Sequence, residues 1–165
     1  MAETLMNLTE LAGTLQDLAN DLAQGYKDEL AANGHYTTIG PDARRLINSI
    51  RTEVVVDGSA YEIRMTLMDY WKYLENGTRP HWPPPGVIAK WIEIKPVIPR
   101  PDSRGSIPTV KSLEYLIRRK ISRVGTEGTH DLEKTKDAVI TAYRDKLEAA
   151  LQHDLYDYIL KVTKT

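Results

Sequence analysis

Apolar residues near the start of the chain recur at alternating steps of 3 and 4. Leu8, Leu11, Leu15, Leu18 and Leu22 fall on one stripe and predict a long helix over residues 4–32. Gly25 interrupts that pattern, and Asn33-Gly34 supplies a left-handed stop. Two heptads are short for a self-standing coiled coil, so the stripe is expected to pack on the chain's own sheet, with a subunit contact as the alternative. Gly40-Pro41-Asp42 then opens a second helix reaching Ile50, with Leu46, Ile47 and Ile50 on its buried side.

Past Ile50 the period changes to 2. Thr52, Val54 and Val56 alternate against Glu53, Val55 and Asp57, and Tyr61, Ile63, Met65 and Leu67 alternate against Glu62, Arg64 and Thr66. Asp57-Gly58 between them is a preferred hairpin turn, so the two runs predict an antiparallel β-hairpin. Tyr70, Trp71, Tyr73 and Leu74 form a bulky apolar turn ended by Asn76-Gly77, and Pro83 to Pro85 impose an extended segment. A short helix over 87–94 carries Ile88, Trp91 and Ile92. Residues 95–108 hold four prolines, a glycine and three Lys or Arg, the composition of a surface loop. A helix over 109–124 has Leu113, Leu116, Ile117 and Ile121 on one side and ends at Gly125. The last helix, over 131–162, shows a stripe of Val139, Tyr143, Leu147, Ala150, Leu151, Leu155, Tyr158 and Ile159. The expectation is an α+β fold: a small antiparallel sheet with a central β-hairpin, packed against long N- and C-terminal helices. It is read as a single domain over 1–165, with mobile loops at about 76–86 and 95–108.

Composition narrows the function classes. Hydrophobic residues make up 41% of 165, sufficient for a core, yet there is no Phe, so Leu, Ile, Val, Tyr and Trp must fill it. The formal charge of -1 argues against a surface given over wholly to nucleic acid. Absence of cysteine removes disulfides, thiolate nucleophiles and sulfur-ligated zinc. Met1 to Leu15 carries Glu3 and Glu10 and no basic stretch, so no secretory signal is expected. No apolar run approaches the ~20 residues that span a bilayer, so no membrane partner is expected.

The segment from Tyr70 to Leu132 carries the most specific pattern. Tyr73-Leu74-Glu75-Asn76-Gly77-Thr78-Arg79-Pro80 is followed by Trp91 in a short helix. Ile117-Arg118-Arg119-Lys120-Ile121-Ser122-Arg123-Val124 then forms a basic helix closed by Gly125-Thr126-Glu127-Gly128. This order resembles the tail-completion, or tail-to-head joining, proteins of long-tailed bacteriophages, also called minor tail or neck components. The likeness covers residues 4–160 in element order, with its motifs in the middle 60. Where that family often has Phe after the Gly-Thr-x-Gly turn, this chain has Thr129-His130-Asp131-Leu132, with Leu132 left to fill the same pocket.

The resemblance implies a virion structural protein, assembled in the host cytoplasm. It implies a homo-oligomeric ring of six subunits at the head–tail junction, between the tail-terminator or tail-tube protein and the head-closure or connector protein. Glu75, Gly77, Thr78, Arg79, His81, Trp82 and Pro84 are the candidate docking residues. Trp, Tyr and Arg are enriched at interface hot spots, and a Trp flanked by prolines has little entropy to lose. Glu75 and Arg79 can pair across the turn. Trp71 and Trp91 are more plainly core residues, whereas for Trp82 an exposed, interfacial position and a core position weigh equally.

Lys111, Arg118, Arg119, Lys120 and Arg123 are candidates for lumen, phosphate or acidic-partner contacts, including non-specific contact with DNA passing through a ring. His35, His81, His130 and His153 are scattered, and no metal-ligand spacing, nucleophile elbow or phosphate loop is present. No enzyme, cofactor, catalytic residue or metal site is therefore expected. The rival readings are another neck or tail component, such as a tail terminator, or a small nucleic-acid-binding adaptor using helix 111–123.

Overall fold

The structure, a computed structural model, describes residues 8–33, 45–57, 60–94, 97–101, 103 and 105–164. Their elements run α1 (Thr9–Ala32), α2 (Arg45–Ser49), β1 (Arg51–Asp57), β2 (Ala60–Thr66), α3 (Trp71–Asn76), α4 (Val87–Ile94), α5 (Val110–Val124) and α6 (Asp131–Thr163). The fold is α+β, with long N- and C-terminal helices and one two-stranded antiparallel sheet packed on α1. The chain divides into two compact units, one holding α1, the hairpin and α6, the other holding α3, α4 and α5 with their loops.

In the first unit α1 and α6 run antiparallel along most of their length. Leu18, Ala19, Ala23, Tyr26 and Leu30 form the buried stripe of α1. Burial of a Leu-sized side chain contributes roughly 1.5–3 kcal/mol. Gly25 lies inside the unbroken helix, where a Cβ would stand 2.8 Å from the Thr135 methyl of α6. The glycine that reads as an interruption is thus a point of close helix approach. Polar side chains fasten both ends. Leu8 offers α1 no side-chain cap, and Asp154 of α6, 4% exposed, supplies one instead. Its two oxygens accept from the Glu10 and Leu11 N–H groups at 3.2 and 2.9 Å. At the other end Asn33 Nδ2 donates to Asp131 Oδ1 at 2.9 Å. A carboxylate at a helix N-terminus satisfies orphan donors and meets the positive end of the dipole.

The hairpin has the predicted faces. Thr52 pairs with Met65, Val54 with Ile63 and Val56 with Tyr61 on one side, and Val55 with Glu62 on the other. Asp57 pairs with Ala60, so the connection is Gly58-Ser59, which lies outside the described residues. The helix start expected at Gly40-Pro41-Asp42 and the stop at Gly34 also lie outside them. Asn33, with φ -79 and ψ 2, is not left-handed.

Three expected core stripes are narrower than the apolar pattern. On α6, Leu151, Leu155 and Ile159 remain 40%, 41% and 54% exposed, because α1 covers only the arc that carries Tyr143, Ala150 and Asp154. On α5, Leu113, Ile117 and Ile121 turn partly inward while Leu116 stays 48% exposed. On α4, Ile92 is buried, and its neighbour Trp91, expected in the core, is 41% exposed. Adjacent helical residues are ~100° apart, so one neighbouring element cannot cover both.

Candidate functional site

The two glycine–threonine motifs, 48 residues apart in sequence, meet within the second unit. α3 ends at Gly77 (φ 70) and α5 ends at Gly125 (φ 74). Each glycine releases the chain into an extended stretch, and the two stretches pair antiparallel as a bridge between Thr78 and Thr126. Thr78 N donates to Thr126 O at 3.0 Å and Thr126 N to Thr78 O at 3.1 Å. Their hydroxyls sit 2.9 Å apart. The chain then continues alongside α3, with Thr129 N donating to Leu74 O at 2.9 Å and His130 N to Glu75 O at 3.3 Å.

The clasp leaves no room for side chains at its glycines. A Cβ on Gly77 would strike the Thr126 carbonyl, and one on Gly125 would strike the Thr78 carbonyl. One on Gly128 would strike the Glu75 carbonyl. Both conformation and contact therefore require glycine at 77 and 125. Glu75 is buried beside this junction, 6% exposed, while Arg79 and His81 stand on the surface beyond it. His81 Nδ1 lies 2.9 Å from the Arg79 carbonyl.

Downstream of the clasp the chain follows α5. His81 N donates to Ile121 O at 3.4 Å. Arg118 Nε donates to Pro83 O at 3.0 Å, and Gly86 N donates to Glu114 Oε1 at 2.9 Å. Pro83 is buried by this arrangement and Pro84 is exposed. Trp82, 49% exposed, rests edge-on against Tyr115, with ring centroids 6.2 Å apart at 65°. The Arg118 guanidinium sits 5.1 Å from the Trp82 ring centroid, within range of a cation–π contact. A stretch expected as a mobile loop is thus attached to α5 at successive turns, since its freed backbone groups find partners on that helix.

Arg118 is half-buried and engaged with Trp82 and Pro83. That sets it apart from Lys111, Arg119, Lys120 and Arg123, which are exposed on α5. Arg119, Lys120 and Arg123 form no ion pair among the described residues. The site's chemistry is that of a rigid aromatic and proline rim beside a cationic helix face.

Two features were not anticipated from the sequence. One is the pairing of Thr78 with Thr126, for which the repeated Gly-Thr dipeptide was the available sign. The other is the spacing of Glu114 and Arg118, one turn apart on α5, which bind the segment 83–86. Among the described residues no three His, Cys, Asp or Glu side chains gather to hold a metal ion. No helix among them is long and apolar enough to cross a membrane. No family model matches the chain, and no similar curated protein or solved structure is found for it.

Proposed function

We propose that this chain is a virion structural protein of a long-tailed bacteriophage, one subunit of a ring that completes the tail and joins it to the head-closure complex. What carries this reading is the clasp. Two of the motifs on which the family resemblance rests, 73–80 and the Gly-Thr-x-Gly turn that closes 117–128, bond to each other, and the clasp leads directly into the exposed Trp82. A shared pattern whose parts form one rigid object is better support than two separate short matches.

The mechanism is geometric. Trp82 and Pro84 present apolar surface on a backbone fixed by α5, so docking costs little ordering entropy. Each subunit repeats one contact until the ring closes. Gold-antibody labelling of particles made by the genome that encodes the chain tests the assignment: label is expected at the head–tail junction. Label at the distal tip would move the protein to the baseplate, and particles without label would remove the virion role. Trp82→Ala is expected to lower the yield of joined particles while far-ultraviolet circular dichroism stays unchanged.

A second reading, a nucleic-acid adaptor, is favoured by the exposed cations Arg119, Lys120 and Arg123, which form no ion pair among the described residues. Its signature is binding to duplex DNA that weakens steeply between low and physiological salt. Docking through Trp82 and Pro84 lacks that steepness.

A further inference from the structure

The near-zero net charge hides a strong segregation. Counted over 1–33, 49–67 and 131–165, the unit of α1, the hairpin and α6 has nine Lys and Arg against sixteen Asp and Glu, a formal -7. The unit of α3, α4 and α5 has thirteen against seven, a formal +6, and the two together give the chain's -1. The first unit also exposes an apolar stripe, and the second an apolar residue beside its cations. On α6, Leu151, Leu155, Ile159 and Val162 stand at steps of 4, 4 and 3 and are 40–54% exposed, with Glu148 one turn before them. On α5, Leu116 is 48% exposed and is followed on the same face by Arg119, Lys120 and Arg123. Contiguous exposed apolar surface of this kind marks an interaction site.

We propose that the outward face of α6 in one copy of the chain receives the cationic face of α5 from a second copy. The assignment rests on the proposed function, which requires a contact between copies, and it names the surfaces that make that contact. Charge complementarity selects the partner and its orientation. An α6–α6 pairing would bring two units of formal -7 together, and an α5–α5 pairing two of +6. The α6–α5 pairing joins opposite signs and covers apolar surface on both sides. Such a contact is heterologous, so every copy keeps one free α5 face and one free α6 face until a ring closes.

Sedimentation velocity on the full chain tests this. Wild-type protein is expected to form an oligomer at low salt that dissociates as salt rises, because charges at a rim are screened within ~10 Å at 0.1 M. Arg119→Glu with Arg123→Glu disables the α5 face, and Leu155→Glu with Ile159→Glu disables the α6 face. All four side chains are exposed, so circular dichroism should match wild type. Each double variant alone should be monomeric, and mixing the two should restore a single 1:1 complex, since one intact pair of faces remains.

Wild type that stays monomeric at low salt and high concentration overturns the proposal. So does an oligomer insensitive to both double variants, or one lost only on changing α6, which would mark an isologous α6 dimer. Self-association of this pattern without label on virions would remove the proposed function and leave the contact standing. Label at the junction with a wild type that never associates would do the reverse.

Discussion

Each of the two units is held together internally by its own means. In the α1–α6 unit the hold is distributed: Leu18, Ala19, Ala23, Tyr26, Leu30, Ile50, Tyr143 and Ala150 are all buried, and each contributes a share through apolar burial. In the α3–α5 unit, α5 buries none of its fifteen residues fully. What holds its ends is a set of backbone approaches at Gly77, Gly125 and Gly128, plus hydrogen bonds from Arg118 and to Glu114. The first design tolerates exchange of one apolar residue for another of similar volume. The second gives precise geometry to a surface segment but allows almost no substitution at its contact points.

The largest effect that can break this contrast is expected at Gly125. Gly125→Ala meets both a left-handed φ of 74 and the Thr78 carbonyl, and should cost about 3–5 kcal/mol through strain and backbone displacement. Hydrogen exchange should show the Thr78 and Thr126 amides losing protection while α1 and α6 amides keep theirs. Gly86→Ala is the control. It has φ 80 but nothing within 4 Å of the added methyl, so only the conformational term of roughly 1–2 kcal/mol remains. Equal losses for the two variants would show that the clasp's close approach contributes nothing.

Leu30→Ala comes next, at about 3 kcal/mol for a residue 1% exposed. It should lower the thermal midpoint and raise exchange along α1. Leu30→Met should cost less than about 1.5 kcal/mol. That tolerance is the distributed hold made visible, and a Leu30→Met loss as large as that of Leu30→Ala would contradict it.

Legibility in the sequence follows the same division. Periodicity of 3.6 located α1, α5 and α6, and alternation with period 2 located both strands and their pairing faces. These signals come from one face of an element meeting one partner. They do not say how wide the partner is, which is why Leu155, Ile159 and Leu116 read as core and stand exposed. Gly25 shows the limit differently: in one dimension it is a helix breaker, and only the proximity of Thr135 gives it a role. The candidate site was legible as two motifs but not as one object, because pairing of Thr78 with Thr126 depends on tertiary placement. Asp154 was not legible as a cap at all, since it serves a helix more than 140 residues away.

That cap gives the third prediction. Asp154→Ala removes the acceptor for the Glu10 and Leu11 amides and should cost about 1–2 kcal/mol. The loss should appear as faster exchange confined to the first turn of α1. Uniform loss along α1 would instead mean that Asp154 holds the whole helix pair rather than one terminus.

The smallest effect concerns Tyr143, whose hydroxyl donates to Asp21 Oδ2 at 2.7 Å across the α1–α6 contact. That hydrogen bond, aided by desolvation and by the charges of Asp21 and Asp17, pushes the phenol from 10.0 up to about 12. The shifted form is the neutral one, so the folded state holds the proton more tightly than the unfolded chain does. Its contribution to stability is complete below pH 10 and is lost as pH rises through about 12. The Lys146 ammonium lies 4.3 Å from the Tyr143 ring centroid, a cation–π contact that a phenylalanine ring at 143 would retain. Subtracting the melting curve of Tyr143→Phe isolates the hydroxyl, because that variant keeps the ring and every other charge. The difference in thermal midpoint should be flat up to pH 10 and then shrink. A difference that stayed constant to pH 12 would mean that the phenol titrates alike in both states, leaving the ring rather than the hydroxyl as its tie between α1 and α6.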